Sequence, residues 1–175
     1  YKRQGHDVVC VSGITSRKPI FSLPDIRIAE SPDSMLEESV IVANSENKPE
    51  FWIHAAAILD YSPEPISGKF PSNSGDWEIT LKPTLKHLDV LKEHTIGCKR
   101  IAFKLEVTGE EDSLIRKSID LISENQLIAV VANMLSDVQG KSDSRCRIVF
   151  PDGKVSEITD IVDLCVEIER IISSH

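Results

Sequence analysis

The segment IAVVA, Ile128 to Ala132, constrains the fold more than any other. A short apolar run rich in β-branched residues, with polar flanks, describes a strand covered on both faces. Such strands belong to parallel sheets layered by helices. The rest of the chain repeats the theme. Asp7 to Val11 (DVVCV) reads as a buried strand entered through Gly5, and the preceding YKRQGHD stretch reads as the end of a helix. Asp25 to Ala29 (DIRIA) alternates as a second strand. Ser31 and Pro32 then supply an N-cap and a first helical residue, which predicts a helix over 32–42.

Phe51 to Ala57 (FWIHAAA) predicts a strand, and the Pro- and Ser-rich stretch 62–75 a loop. Trp77 to Lys82 (WEITLK) alternates strictly, as a half-exposed strand does. Pro83 ends it, and Thr84 is placed to cap a helix reaching His94. Lys99 to Glu106 (KRIAFKLE) predicts another strand. Glu110, Glu111 and Asp112 suit the first turn of a helix running to about Glu124. Arg145 to Phe150 and Lys154 to Ile158 flank Pro151-Asp152-Gly153 as a hairpin. Thr159 is placed to cap a last helix, whose Leu164, Ile168 and Ile171 recur at helical spacing. The expectation is a Rossmann-like, doubly wound α/β fold. Its sheet is mostly parallel, with an antiparallel strand and hairpin as an extension. The length of 175 residues fits a single domain over 1–175.

Composition removes several classes. With 41% hydrophobic and 27% charged residues, the chain is not a disordered one. No apolar run approaches the ~20 residues of a membrane span. A net charge of −8 argues against nucleic acid or a membrane surface as partner. Cys10, Cys98, Cys146 and Cys165 form no CxxC pair and read as reduced packing residues. With no signal peptide evident, the expected location is cytoplasmic. The histidines are scattered, so no metal-ligand set is expected, and His54 reads as a satisfied core residue.

In an open α/β sheet, ligands bind beyond the carboxyl ends of the strands. Three segments fall there. Ala55, Ala56 and Ala57 let a ligand approach the backbone closely, and Asp60 follows with a carboxylate. Lys69 lies in the 62–75 loop, within a stretch (69–104) holding seven Lys or Arg against four acids. A basic centre in an acidic chain points to a small anion such as a phosphate. Asn133 can donate and accept at a strand end, as a nucleobase edge requires. Neither GxGxxG nor GxxxxGK[ST] is present.

Read together, HAAAILDYSP, GKFPS, GDWEITLKPTLKHL, IAFKLEV and IRKSIDLISENQLIAVVANML resemble the phosphopantothenoylcysteine synthetase family, the ligases of coenzyme A biosynthesis, along nearly the whole chain. The FKLE and VVANML wording looks closer to the stand-alone form than to the form fused to a flavin decarboxylase. The family's small-residue motif falls on Ala55 to Tyr61, its loop lysine on Lys69, its helix start on Thr84 to Leu88, and its F-x-x-E strand on Phe103 to Glu106. The resemblance implies amide formation between 4′-phosphopantothenate and cysteine through an acyl-nucleotide, with CTP or ATP as co-substrate, Mg²⁺ beside the triphosphate, and a homodimer. Lys69 and Asp60 would be the catalytic residues. Ala56, Ala57, Asp60, Tyr61, Lys86, Phe103 and Asn133 would bind the nucleotide or acyl-nucleotide. Two departures stand out. Met134 replaces the family's usual Asp after Asn133. The family's first strand, turn and most of its first helix are not represented, which brings in a second reading, a non-catalytic or truncated nucleotide-binding module. A nicotinamide or flavin oxidoreductase on a similar sheet is the third.

Overall fold

The computed structural model describes residues 5–14, 25–64, 67–69, 71, 75–139 and 144–174. The expected helix end over YKRQ, and parts of the expected 62–75 loop, lie outside them. The order is β1 (Val9–Gly13), β2 (Asp25–Ala29), α1 (Pro32–Ala43), β3 (Phe51–His54), β4 (Tyr61–Pro63), β5 (Leu81–Pro83), α2 (His87–His94), β6 (Lys99–Glu106), α3 (Glu111–Asn125), β7 (Ala129–Met134), α4 (Leu135–Val138), β8 (Cys146–Val149), β9 (Val155–Ile158) and α5 (Ile161–Ser173). This is a mixed α/β architecture, Rossmann-like, with a parallel-rich central sheet.

The main sheet runs β3-β6-β7-β8-β9. β3, β6 and β7 are parallel, while β8 and β9 are added antiparallel. β1 and β2 form a parallel pair, and β4 and β5 an antiparallel one. The IAVVA run behaves as its composition requires. Val130, Val131 and Ala132 are wholly buried, because β7 is the central strand with helices over both faces. On one face Ile101, Val131 and Ile148 pack under Leu164, Ile168 and Ile171 of α5. On the other, Ala102, Val130 and Val149 pack under Leu114 and Ile122 of α3. His6 at the entry to β1 reaches Glu169 of α5 at 2.8 Å, and this ties the β1-β2 pair to the main layer.

Five local expectations are corrected. β3 stops at His54, so the three alanines lie beyond the strand. WEITLK pairs only at its end. Its partner β4 is three residues long and ends at Pro63, and a proline lacks the N–H that would extend a ladder. Thr84 does not cap α2. Its hydroxyl bonds the Leu59 carbonyl, and the helix starts at His87 with Lys86 as N-cap. α5 is capped by Asp160, which accepts from the Val162 and Asp163 N–H groups, rather than by Thr159. Cys165 is exposed on α5 and is no packing residue, whereas Cys146 is buried in the core. Among the described residues no helix is long and apolar enough to cross a membrane.

Candidate active site

β3, β6 and β7 are parallel and so end on one side of their sheet, and the end of β1 meets the segment after β3. The end of β1, from Val11 to Ile14, faces Ala55, Ala56 and Ala57 across a cleft of about 520 Å³, with Met35 of α1 at its wall. The alanines are exposed, so their backbone is open to a ligand. Gly13 matters at this wall because a Cβ there would come within 3.3 Å of the Met35 methyl. Sequence reasoning missed Ser12, Gly13 and Met35. The only signal was a Ser-Gly pair ending a strand, and nothing in the chain order says that β1 and β3 would face each other.

Asp60, Tyr61 and Lys86 meet at the base of the β4-β5 extension. The Asp60 carbonyl accepts the Thr84 N–H at 2.9 Å, and Tyr61 pairs with Pro83. Lys86 follows two residues after Thr84. Asp60, Lys69 and Lys86 are exposed and make no ion pair among the described residues, unlike Lys82, which is held by Glu64. Two cations without an ion pair among the described residues could meet an anionic ligand.

The remaining two candidates lie deeper. Phe103 is half-buried and packs against the core on the α5 side. Asn133 is half-buried beside Leu105 of β6, and its side chain makes no hydrogen bond among the described residues. At the end of β6, Glu106 bridges Lys104 (2.9 Å) and Lys117 (2.8 Å), and the Lys117 and Lys104 ammonium groups hold its carboxyl below the ordinary value.

Beneath the rim, Arg100 of β6 is 3% exposed. It donates to the Leu88 carbonyl at 2.6 Å, the Asn125 carbonyl at 3.1 Å and His54 Nε2 at 3.4 Å. It thereby fastens α2 and α3 to the strand that precedes the alanines. Accepting at Nε2 leaves His54 neutral, with its proton on Nδ1. Burial, reinforced by the Arg100 charge and by His87, lowers its pKa to about 3. His54 is thus the satisfied inner residue that its sequence setting implies, and it is no proton donor at neutral pH.

The family model for the DNA/pantothenate metabolism flavoprotein C-terminal domain matches residues 1–163. The chain belongs to this family. Solved structures agree on the fold of this flavoprotein-type domain. The DNA/pantothenate metabolism flavoprotein from Streptococcus pneumoniae superposes with a TM-score of 0.77 at 22% identity, over 99% of this chain and 84% of that one. The C-terminal domain of the coenzyme A biosynthesis bifunctional protein CoaBC gives 0.68 at 23% identity, over 99% and 79%. A Cab2 mutant in complex with phosphopantothenate-cysteine gives 0.54 at 16% identity, over 85% and 53%. No curated protein matched. Family membership upholds the resemblance read from the motifs.

Proposed function

We propose that the protein joins 4′-phosphopantothenate to cysteine in coenzyme A biosynthesis, by way of an acyl-nucleotide made from CTP or ATP. The observation that carries this reading is the rim itself. A cleft without charged lining residues is walled by Ala55–Ala57 and the end of β1, and Lys69 and Lys86, which we assign to its ligand, make no ion pair among the described residues. A carboxylate resists an amine because it carries negative charge and lacks a leaving group. Attack of that carboxylate on the α-phosphate expels pyrophosphate and leaves a mixed anhydride. The cysteine amine then displaces nucleotide monophosphate from the anhydride. Both steps build negative charge, which fixed cations stabilise. Lys69 and Lys86 are assigned to that charge, Ala56 and Ala57 to backbone contact with the nucleotide, Asp60 and Tyr61 to the ribose or base, and Asn133 and Phe103 to the far wall of the pocket. Among the described residues no cluster of three His, Cys, Asp or Glu could hold a metal. Mg²⁺ is assigned to the triphosphate and water, as is usual for this ion.

The stand-alone form and a cytoplasmic location remain the reading of the sequence. Thermal shift tests nucleotide use, because a ligand that binds only the folded state raises the Tm. With Mg²⁺, CTP or ATP is expected to raise the Tm, NADH to leave it unchanged, and Asp60→Asn to shrink the shift. An equal response to NADH, or an undiminished shift in Asp60→Asn, contradicts the assignment.

We assign a second copy of this chain to the β4-β5 extension. Tyr61, Trp77, Ile79 and Leu81 are each at least half exposed there, beside short strands that pair only with each other among the described residues. Such apolar edges are covered in stable proteins. Light scattering should give twice the chain mass, and Leu81→Lys should return it to one; monomeric wild-type protein rules the dimer out.

A further inference from the structure

We infer that the buried Arg147–Asp137 pair is the positioning device for the carboxyl end of β7, holding Asn133 for the nucleotide. The inference rests on the function proposed above. Arg147 stands on β8 directly opposite Ala132 of β7. Its side chain is 7% exposed and that of Asp137 is 2% exposed. Nη1 of Arg147 lies 2.6 Å from Oδ2 of Asp137, and the same oxygen accepts the Met134 N–H at 2.8 Å. On its other edge Nη2 donates to Oε2 of Glu111 at 2.9 Å, while Nε lies 2.8 Å from Oε1 as an ion pair without hydrogen-bond geometry. One side chain therefore binds the turn after β7 to the first residue of α3.

Placing two charges out of water is costly, and an apolar pair of similar volume often stabilises a fold as well. The geometry of this pair gives it a second use. Asp137 fixes the peptide between Asn133 and Met134, the point where the strand turns into α4. The strand alternation then sends Met134 into the core on the α3 side and Asn133 to the opposite face. The Asn133 amide, with no hydrogen-bond partner among the described residues, is held at the rim by a carboxylate four positions further along the chain. Displacement by about 1 Å at such a site is enough to cost an order of magnitude or more.

The experiment is a double-mutant cycle on the full chain, reading the Kd for CTP and for ATP with Mg²⁺ at a temperature where every variant is folded. Asn133→Ala and Asp137→Asn should each weaken binding about tenfold, and the double variant no further, because both remove the same contact. Arg147→Lys keeps the charge on Asp137 and should stay within about threefold of wild type. A merely structural pair would lower the Tm and leave Kd unchanged, or would act additively with Asn133→Ala; either result overturns the positioning role alone. Should Asp137→Asn not fold, Asp137→Glu, which displaces the carboxylate by one methylene, carries the same cycle. Wild-type protein that binds neither nucleotide overturns the functional reading, and the positioning role with it.

Discussion

Replacing Lys69 by Gln is expected to lower kcat for ligation about a hundredfold or more while leaving the fold unchanged. Lys69 is exposed and makes no ion pair among the described residues, so its removal breaks nothing that holds the protein together. Its assigned work is done only where negative charge accumulates, on the triphosphate and on the tetrahedral species formed when the amine attacks. Loss of one such group at other enzymes costs ~3 kcal/mol of transition-state stabilisation. The expected signature is a large fall in kcat, a smaller change in the nucleotide KM, and an unchanged Tm. Lys69→Arg should recover part of the rate. Turnover by Lys69→Gln at the wild-type rate would remove Lys69 from the chemistry.

The second large effect is on stability, and it comes from His54. Folding lowers its pKa from the ordinary 6.5 to about 3, chiefly through burial and then through Arg100. Between these values the unfolded chain binds a proton that the folded chain does not. The stability associated with neutral His54 is therefore fully present above pH 6.5 and is lost as the pH falls toward 3. The slope approaches 1.4 kcal/mol per pH unit, which is about 2.5 kcal/mol between pH 7 and pH 4.5. Burial lowers the pKa of His87 as well, which adds to the fall with the same sign. His54→Gln offers Arg100 an acceptor without a titrating ring, so its stability should fall less over the same range, by about that amount. Urea midpoints at pH 7, 5.5 and 4.5 measure the difference; parallel curves for the two proteins would show that His54 titrates normally in the folded state.

Much of the scaffold was legible where local chemistry and tertiary context agree. KRIAFKLE is a strand at the expected bounds, and Ser31-Pro32 starts α1 as a cap and first-turn proline should. The misreadings mark places where a distant residue decides. The strict alternation of WEITLK favours a strand, yet a ladder needs a partner, and the one available ends in proline. Thr84 has the right side chain for an N-cap, but the Leu59 carbonyl takes its hydroxyl. Alanine has no strong preference, so the sequence could not show that β3 ends at His54, where the register with β6 stops at Ala102.

The candidate site divides the same way. Ala56, Ala57 and Asp60 are candidates on local signals, since small or charged residues after a strand are visible in the sequence. Ser12, Gly13 and Met35 were not, because the cleft they line exists only once β1 and β3 face each other. The hub at Arg147, which joins residues 36 and 10 positions away, leaves no mark on the linear pattern.

Oxygen-isotope transfer tests the acyl-nucleotide route most directly. 4′-Phosphopantothenate labelled with ¹⁸O in its carboxylate is incubated with the full chain, cysteine, Mg²⁺ and either CTP or ATP, and the products are weighed by mass spectrometry. The account predicts one ¹⁸O in the phosphate of the released nucleotide monophosphate, the other ¹⁸O retained in the carbonyl of the new amide, and unlabelled pyrophosphate. Label in inorganic phosphate with nucleotide diphosphate as the second product, or no amide with either triphosphate, would contradict it.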